Sequence, residues 1–308
     1  MSVESERVVD ISEGPVRLWI ENRQLMLEGP DDRRWSAPAE EVAVVVLGTE
    51  WVRLSAPVLT TLAAHGGVVV LCDHRSMPIA MSVPLYGHTL HPQRLRLQIE
   101  ASEPRRKRAW QAIVRAKVRA QAAVRRRRGH EDAGLEGRVE RVRSGDPDNV
   151  EAEAARRYWP TLLGATFRRD PMSDAPPNSF LNYGYAVLRA MSARAVVAAG
   201  FAPALGLHHR HRENLFALAD DLMEPFRPIV DERVAELWDE LGPGARMNRE
   251  VKRKLLQPMI GRYSYDGQWR KLSDVLHRMA AGLVDVFQGQ ADDWPLPATW
   301  EGVCVDES

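Results

Sequence analysis

Residues 205–231, LGLHHRHRENLFALADDLMEPFRPIVD, gather a histidine pair (His208, His209), two spaced acids (Asp221, Glu224) and a Pro-Phe-Arg-Pro turn. Upstream, the stretch NVEAEAARRYW at 149–159 contains Glu151. On a helix Glu151 shares a face with Ala155 and Tyr158, which places it on the apolar side, whereas Glu153 points the other way as a solvated acid. A carboxylate on a buried stripe must be neutral, paired or bound to a cation, because an unpaired buried charge is costly. Asp221 and Glu224, three positions apart, set both carboxylates on one helical face. Carboxylates and an imidazole drawn from separate helices suit a divalent metal acting on phosphodiesters.

Each feature also has an ordinary reading. Glu151 can serve as a capping acid or in a salt bridge, and histidines in a loop after Gly206 can be plain surface residues. Adjacent side chains diverge, so only one of the two histidines is expected to face a site. Asp220 and Asp221 also suit a helix N-terminus, and Pro225 can lie in a first turn, where its missing N–H costs nothing.

Two kinds of element must position these groups. The first ninety residues read as β: RVVDIS (7–12), VRLWI (16–20), QLMLEG (24–29), VVVLCD (68–73) and PIAMSV (78–83) have strand length and pattern. EVAVVVLG (41–48) is a continuous apolar run expected to be buried on both faces. Ser55 is placed to cap a short helix that Gly66-Gly67 ends. From about Leu95 the period turns helical. The spacing predicts helices over 104–128, from 148 or 149 past Trp159, over 181–199, 231–241 and 270–288. The expected fold class is α+β: an N-terminal β-sandwich (1–92), a larger all-helical domain (93–290) and an acidic tail (291–308).

Composition narrows the classes. At 44% hydrophobic and 27% charged over 308 residues, the chain reads as a globular protein with one or two domains. It has no apolar run of membrane-spanning length and no apolar signal core near its acidic start, so neither a membrane span nor export is expected. Cys72 and Cys304 are too few for a disulfide framework or a cysteine metal site, which favours a reducing cytoplasmic setting. The formal charge of +0 averages unlike halves: residues 1–92 carry seven basic and twelve acidic side chains. Arg105 to Arg128 holds eleven Arg or Lys and no acid. That helix is the first candidate for gripping phosphates, through Arg105, Arg106, Lys107, Arg115, Lys117 and Arg119. The alternative is a solvated face whose partners lie elsewhere in the chain.

The strings SGDPDNVEAEAARRYWPTLLG, FRRD, LNYGYAVLRA and LGLHHRHRENLFALADDLMEPFRP follow one another in this order. They resemble the consecutive blocks of the CRISPR-associated adaptation integrase/endonuclease family. The opening VVDISEGPVRLWI is similar to members from type II loci, and the resemblance spans roughly residues 7 to 290. It implies a dimerising N-terminal β-domain and a helical catalytic domain. By position, it implies Glu151, His209 and Glu224 as metal ligands and catalytic residues, with Asp221 as a supporting acid. Some relatives carry Asp where this chain has Glu224; His208, His211 and Glu213 add groups near the site.

Insertion of a prespacer into a repeat array by attack of its 3′-hydroxyl is the implied reaction, with Mg²⁺ or Mn²⁺ as cofactor and nuclease activity where water attacks instead. Expected partners are double-stranded DNA (prespacer and repeat), a second copy of the chain as a homodimer, and a small ferredoxin-like CRISPR adaptation protein. Arg210, Arg212 and Arg227 flank the site and are expected to position the scissile phosphate. Tyr183 and Tyr185 are candidates to stack on exposed bases. The competing readings are a non-catalytic DNA-binding scaffold, which occupied ligand positions disfavour, and a general repair nuclease.

Overall fold

Valine-rich strands build the first part of the chain and long helices the rest. The computed structural model describes residues 7–73, 78–84, 88–209 and 211–290, with Trp294, Leu296 and Pro297. Strands β1 (Arg7–Ile11), β2 (Val16–Glu21), β3 (Gln24–Glu28), β4 (Arg34–Pro38), β5 (Val42–Leu47) and β6 (Val52–Leu54) precede helix α1 (Ala56–Ala64), then β7 (Val68–Cys72) and β8 (Pro78–Ser82). They form two four-stranded sheets, ordered β1-β5-β7-β8 and β4-β3-β2-β6. Pairing is mixed, with β5 parallel to β1 and β7, and β2 antiparallel to β3 but parallel to β6. Ser55 sits at the N-cap of α1 as expected, although its side chain makes no capping bond.

β5 is buried along its whole length, as its unbroken apolar sequence requires. Its pairing with β1 shifts register at Arg7/Val8, which makes Ala43 the extra residue of a bulge and swaps the facing order of the side chains. Val42, Val45 and Leu47 therefore join Val9, Ile11, Leu18 and Leu25 in a cluster fed by both sheets. Ala43, Val44 and Val46 turn the other way, into the main helical core. One strand thus fastens the sheets to the helices.

The helices are α2 (His91–Glu100), α3 (Glu103–Arg127), the single turn α4 (Glu136–Val139), α5 (Val150–Leu163), α6 (Asn178–Ala198), α7 (Ala217–Met223), α8 (Arg227–Leu241), α9 (Arg249–Ile260) and α10 (Leu272–Gln288). A 3-10 turn, Glu224–Phe226, joins α7 to α8. α3 and α6 are the central members: half of α3 and most of α6 is buried. The expectation of an all-helical second part is corrected by an antiparallel hairpin, β9 (Arg262–Tyr265) with β10 (Gln268–Lys271). Its turn is Asp266-Gly267, both at positive φ, the chemistry of a tight two-residue hairpin. Arg270 and Lys271, expected to open the last helix, are claimed by this ladder, so α10 starts at Leu272.

Most of the tail lies outside the described residues. Trp294 is described; its indole N–H donates to the Met279 carbonyl at 2.9 Å. No helix among the described residues is long and apolar enough to cross a membrane.

Candidate active site

Glu151 stands in the first turn of α5. Asn149, at φ 53°, caps that helix by accepting from Ala152 N, while the Asp146 carboxylate accepts from Val150 N and Glu151 N at 2.9 and 3.0 Å. The start of α5 is thereby fixed, and Glu151 faces α3. There Lys117, buried at mid-helix, places its Nζ 2.5 Å from Glu151 Oε1 and 2.5 Å from Glu224 Oε2. Two carboxylates from separate elements converge on one cation position. Glu224 comes from the 3-10 turn, and its other oxygen accepts from Arg227 at 2.8 Å.

Electrostatics follow from this packing. Burial pushes the Glu224 carboxyl up, but the Arg227 and Lys117 cations outweigh it and bring the pKa down to about 2. Burial likewise pulls on the Lys117 ammonium, and the Glu224 and Glu151 charges more than offset it, so its pKa is raised. A buried ion group of this kind holds together because each charge has its opposite in contact.

His209 reaches the region from the loop before α7. Its Nδ1 lies 2.7 Å from Asp221 Oδ1, and that hydrogen bond holds its pKa above the ordinary histidine value. Asp221 is fully buried and also accepts from the backbone N–H of Leu207, His208 and His209 at 2.5, 3.1 and 3.2 Å. Gly206 is required here: a Cβ would stand 2.8 Å from Asp221 Oδ2 and 2.5 Å from the His209 carbonyl. The two histidine rings diverge at 84°. His208 stacks flat on Trp110 of α3, centroids 4.2 Å apart and planes at 4°, while His209 meets the same indole edge-on. Trp110 was not among the sequence-based candidates; a lone Trp amid the charges of α3 was the available signal.

A cavity of about 670 Å³ opens beside these groups. His209, Asp220, Glu224 and Arg227 line it, with Arg169 and Arg189. Arg189 grips Asp220 through two bonds of 2.5 and 3.0 Å. Arg227 lies 4.2 Å over the Tyr185 ring, whose hydroxyl donates to the buried Asp231. Burial raises the Asp231 carboxyl to about 6, against the lowering pull of the Tyr185 hydrogen bond and Arg227. A raised folded pKa supplies stability that is fully present below the unfolded value and lost as pH rises through the folded one, about 3 kcal/mol between pH ~4 and ~6. Asp231→Asn does not titrate. Its melting temperature relative to wild type is therefore expected to climb over that window and level off above it; a difference independent of pH would refute this.

The structure corrects several expected DNA contacts. Tyr183 is fully buried and donates to Asp10 of β1 at 2.7 Å, so it presents no face for base stacking. Tyr185, also buried, is spent on Asp231. Lys117 points inward, to the two glutamates. Arg105 donates to the Phe287 carbonyl at 2.7 Å and Arg115 to the Val142 carbonyl at 3.1 Å. Farther along α3, Arg127 and Arg128 pair with Glu232 and Asp239 of α8, and Arg126 with Glu136. Much of the basic helix is a core element whose acids come from elsewhere. Lys107, Arg119 and Arg212 are exposed, Arg106 is half-buried, and Arg210 lies outside the described residues.

Among the described residues, no three His, Cys, Asp or Glu side chains are arranged to hold one metal ion. The donor chemistry nevertheless fits one. Two hard oxygens already converge on a cation position, and Glu224 Oε2 is buried there without an aligned hydrogen-bond donor. Asp221 engages His209 through Nδ1, which leaves Nε2 as the nitrogen able to bind a cation.

Sheets fastened to a helical body bring together a lysine-bridged acid pair, an Asp-oriented histidine and a cavity rimmed by arginines, a site of the class that handles phosphodiesters. The model of the family "CRISPR associated protein Cas1" matches residues 11–242, and the chain belongs to that family. A relative described as "CRISPR-associated endonuclease Cas1", from Neisseria meningitidis serogroup C (strain 8013), is 36% identical over 275 residues, 87% of this chain and 90% of its own. Among solved structures, a casposase bound to integration product superposes with a TM-score of 0.77 at 18% identity, covering 94% of this chain and 92% of its own. The Cas6-RT-Cas1–Cas2 complex gives 0.73 at 19%, covering 96% of this chain and 36% of that one. At such identities the structural matches speak for the fold.

Proposed function

We propose that this chain is a divalent-metal-dependent DNA integrase and endonuclease of CRISPR spacer acquisition. The observation that carries this reading is the convergence of Glu151 and Glu224 on one cation position beside the His209 cavity. The relative named an endonuclease and the casposase bound to integration product support the same chemistry. Glu151, Glu224 and His209 would hold Mg²⁺ or Mn²⁺, and Asp221 fixes the His209 ring with Nε2 outward. When bound, such an ion neutralises charge on the phosphoryl oxygen and lowers the pKa of the attacking hydroxyl.

The chain's own groups do the rest. Arg227, with Arg169 and Arg189 on the cavity wall, neutralises the phosphate that receives the 3′-hydroxyl. Attack at phosphorus forms one P–O bond and breaks another, so a phosphodiester is exchanged without net hydrolysis; water in place of the alcohol gives the nuclease reaction. Exposed Lys107, Arg119 and Arg212, with Arg106, are the residues left to track DNA. In this reading residues 1–92 form a dimerising β-sandwich and 93–290 the catalytic domain, in a homodimer that works in the cytoplasm. It engages prespacer and repeat duplexes with a small ferredoxin-like partner, in keeping with the Cas1–Cas2 complex among the structural matches.

The test is strand transfer. Purified chain, partner, a labelled duplex with free 3′-hydroxyls and a repeat-bearing plasmid are mixed with Mn²⁺ or Mg²⁺. Covalent joining of label to plasmid, abolished by chelator, is expected. Firm DNA binding without joining, with the cognate repeat and partner present, would favour the non-catalytic scaffold instead.

A further inference from the structure

Lys117 is the group that the reaction leaves unexplained. It is nearly buried, comes from the middle of α3, and among the described residues is the side chain paired with both acids. We propose that Lys117 is a tethered counter-cation that competes with the divalent ion for Glu151 and Glu224, so that metal enters only as the ammonium leaves. This rests on the metal-dependent reading above.

The argument is geometric first. An Mg²⁺ ion bound to an oxygen sits about 2.1 Å from it, and the Lys117 nitrogen sits 2.5 Å from those same oxygens. By the triangle rule the two cations would be no more than ~4.6 Å apart, and much closer if both oxygens ligate. They would face each other in a setting that screens little.

Charge balance points the same way. Glu151 and Glu224 are matched by Lys117 and Arg227, so a divalent ion leaves the cluster with two charges in excess, and departure of one cation halves that excess. Arg227 is pinned: it stays on the far oxygen of Glu224 and lies on the Tyr185 ring. Lys117 ends in a compact head on a flexible four-carbon stem, and is the one free to swing. The lysine thereby keeps the two carboxylates together and charged until metal arrives.

Mn²⁺ affinity, measured by calorimetry or paramagnetic resonance on the full chain, tests this without reference to activity. Lys117→Met is expected to bind Mn²⁺ at least tenfold more tightly than wild type, and to gain more melting temperature from it. Equal or weaker binding by Lys117→Met overturns the proposal. Glu151→Gln/Glu224→Gln serves as the control that loses the site. If neither wild type nor Lys117→Met shows a Mn²⁺ site, the metal-dependent reading itself fails and the proposal falls with it, an outcome distinct from equal binding in both. Should Lys117→Met fail to fold, acylation of Lys117 in wild type, followed by mass spectrometry, decides. Labelling is expected to rise several-fold on adding Mn²⁺; unchanged or reduced labelling overturns the proposal.

Discussion

Glu151→Ala and Glu224→Ala are each expected to lower strand joining by about a thousandfold or more, since the proposed ion would supply several kcal/mol of transition-state charge stabilisation. The two variants differ in what else they break. Glu224 is almost wholly buried and holds both Lys117 and Arg227, so its removal takes the carboxylate from Arg227, leaves Lys117 to Glu151 alone, and is expected to cost about 3–5 kcal/mol of stability. Glu151 is one-quarter exposed, and Lys117 keeps Glu224 after its loss. Its stability cost is accordingly much smaller, which makes it the cleaner probe of chemistry. Joining rates at saturating Mn²⁺, paired with thermal melts, separate the two effects. Wild-type joining by Glu151→Ala would remove the acid pair from the mechanism.

How far the sequence could lead is decided element by element. β5 was legible because an unbroken valine run has no polar face to expose, and the structure buries it on both sides. The start of α5 was legible from Asn149, and the stripe of α10 from Leu272, Val275, Leu276, Met279 and Leu283. β4 and β6 were not, because short edge strands such as Val52–Leu54 are defined by the partner they pair with rather than by their own pattern. α9 passed unnoticed although Leu255, Leu256 and Met259 make an apolar face, since Pro258 interrupts it. The hairpin at Asp266-Gly267 did carry a local signal, overlooked beside the helical periodicity of its surroundings. The basic helix misled for a physical reason. A charge count within one window cannot see Glu232 and Asp239 of α8, or the two glutamates that take Lys117 inward. Spacing offered candidates for the site; the resemblance supplied roles for them, and only the folded chain brings Trp110, Lys117 and Arg189 alongside.

Asp221→Asn is expected to cost both stability and activity, which separates it from loss of His209. Each Asp221 oxygen faces donors only: Oδ2 takes the N–H groups of Leu207 and His208, and Oδ1 takes the His209 N–H and ring Nδ1. An amide whose NH₂ is turned towards Leu207 and His208 meets two backbone donors there. Turned towards His209 it meets one, with Nδ1 able to accept from it once the ring proton sits on Nε2. Either way at least one buried donor is left unsatisfied, at about 1–3 kcal/mol. Stability lowered by about 1–3 kcal/mol is the expected reading of the melt. The His209 contribution has a definite sign. Its raised pKa makes the ion pair fully stabilising below the ordinary histidine value, and that part is lost as pH rises through the raised one. The gap between wild type and Asp221→Asn should therefore narrow towards alkaline pH without closing, because the backbone donors remain. Joining should fall by about 10–100-fold from the lost orientation of the imidazole alone. His209→Ala, at a partly exposed ring, should lose joining and give up only that pH-dependent part of the stability, so its melt should approach wild type towards alkaline pH. If Asp221→Asn melted as wild type does, Asp221 could not be what fixes this loop, and the orientation assigned to His209 would lose its physical cause.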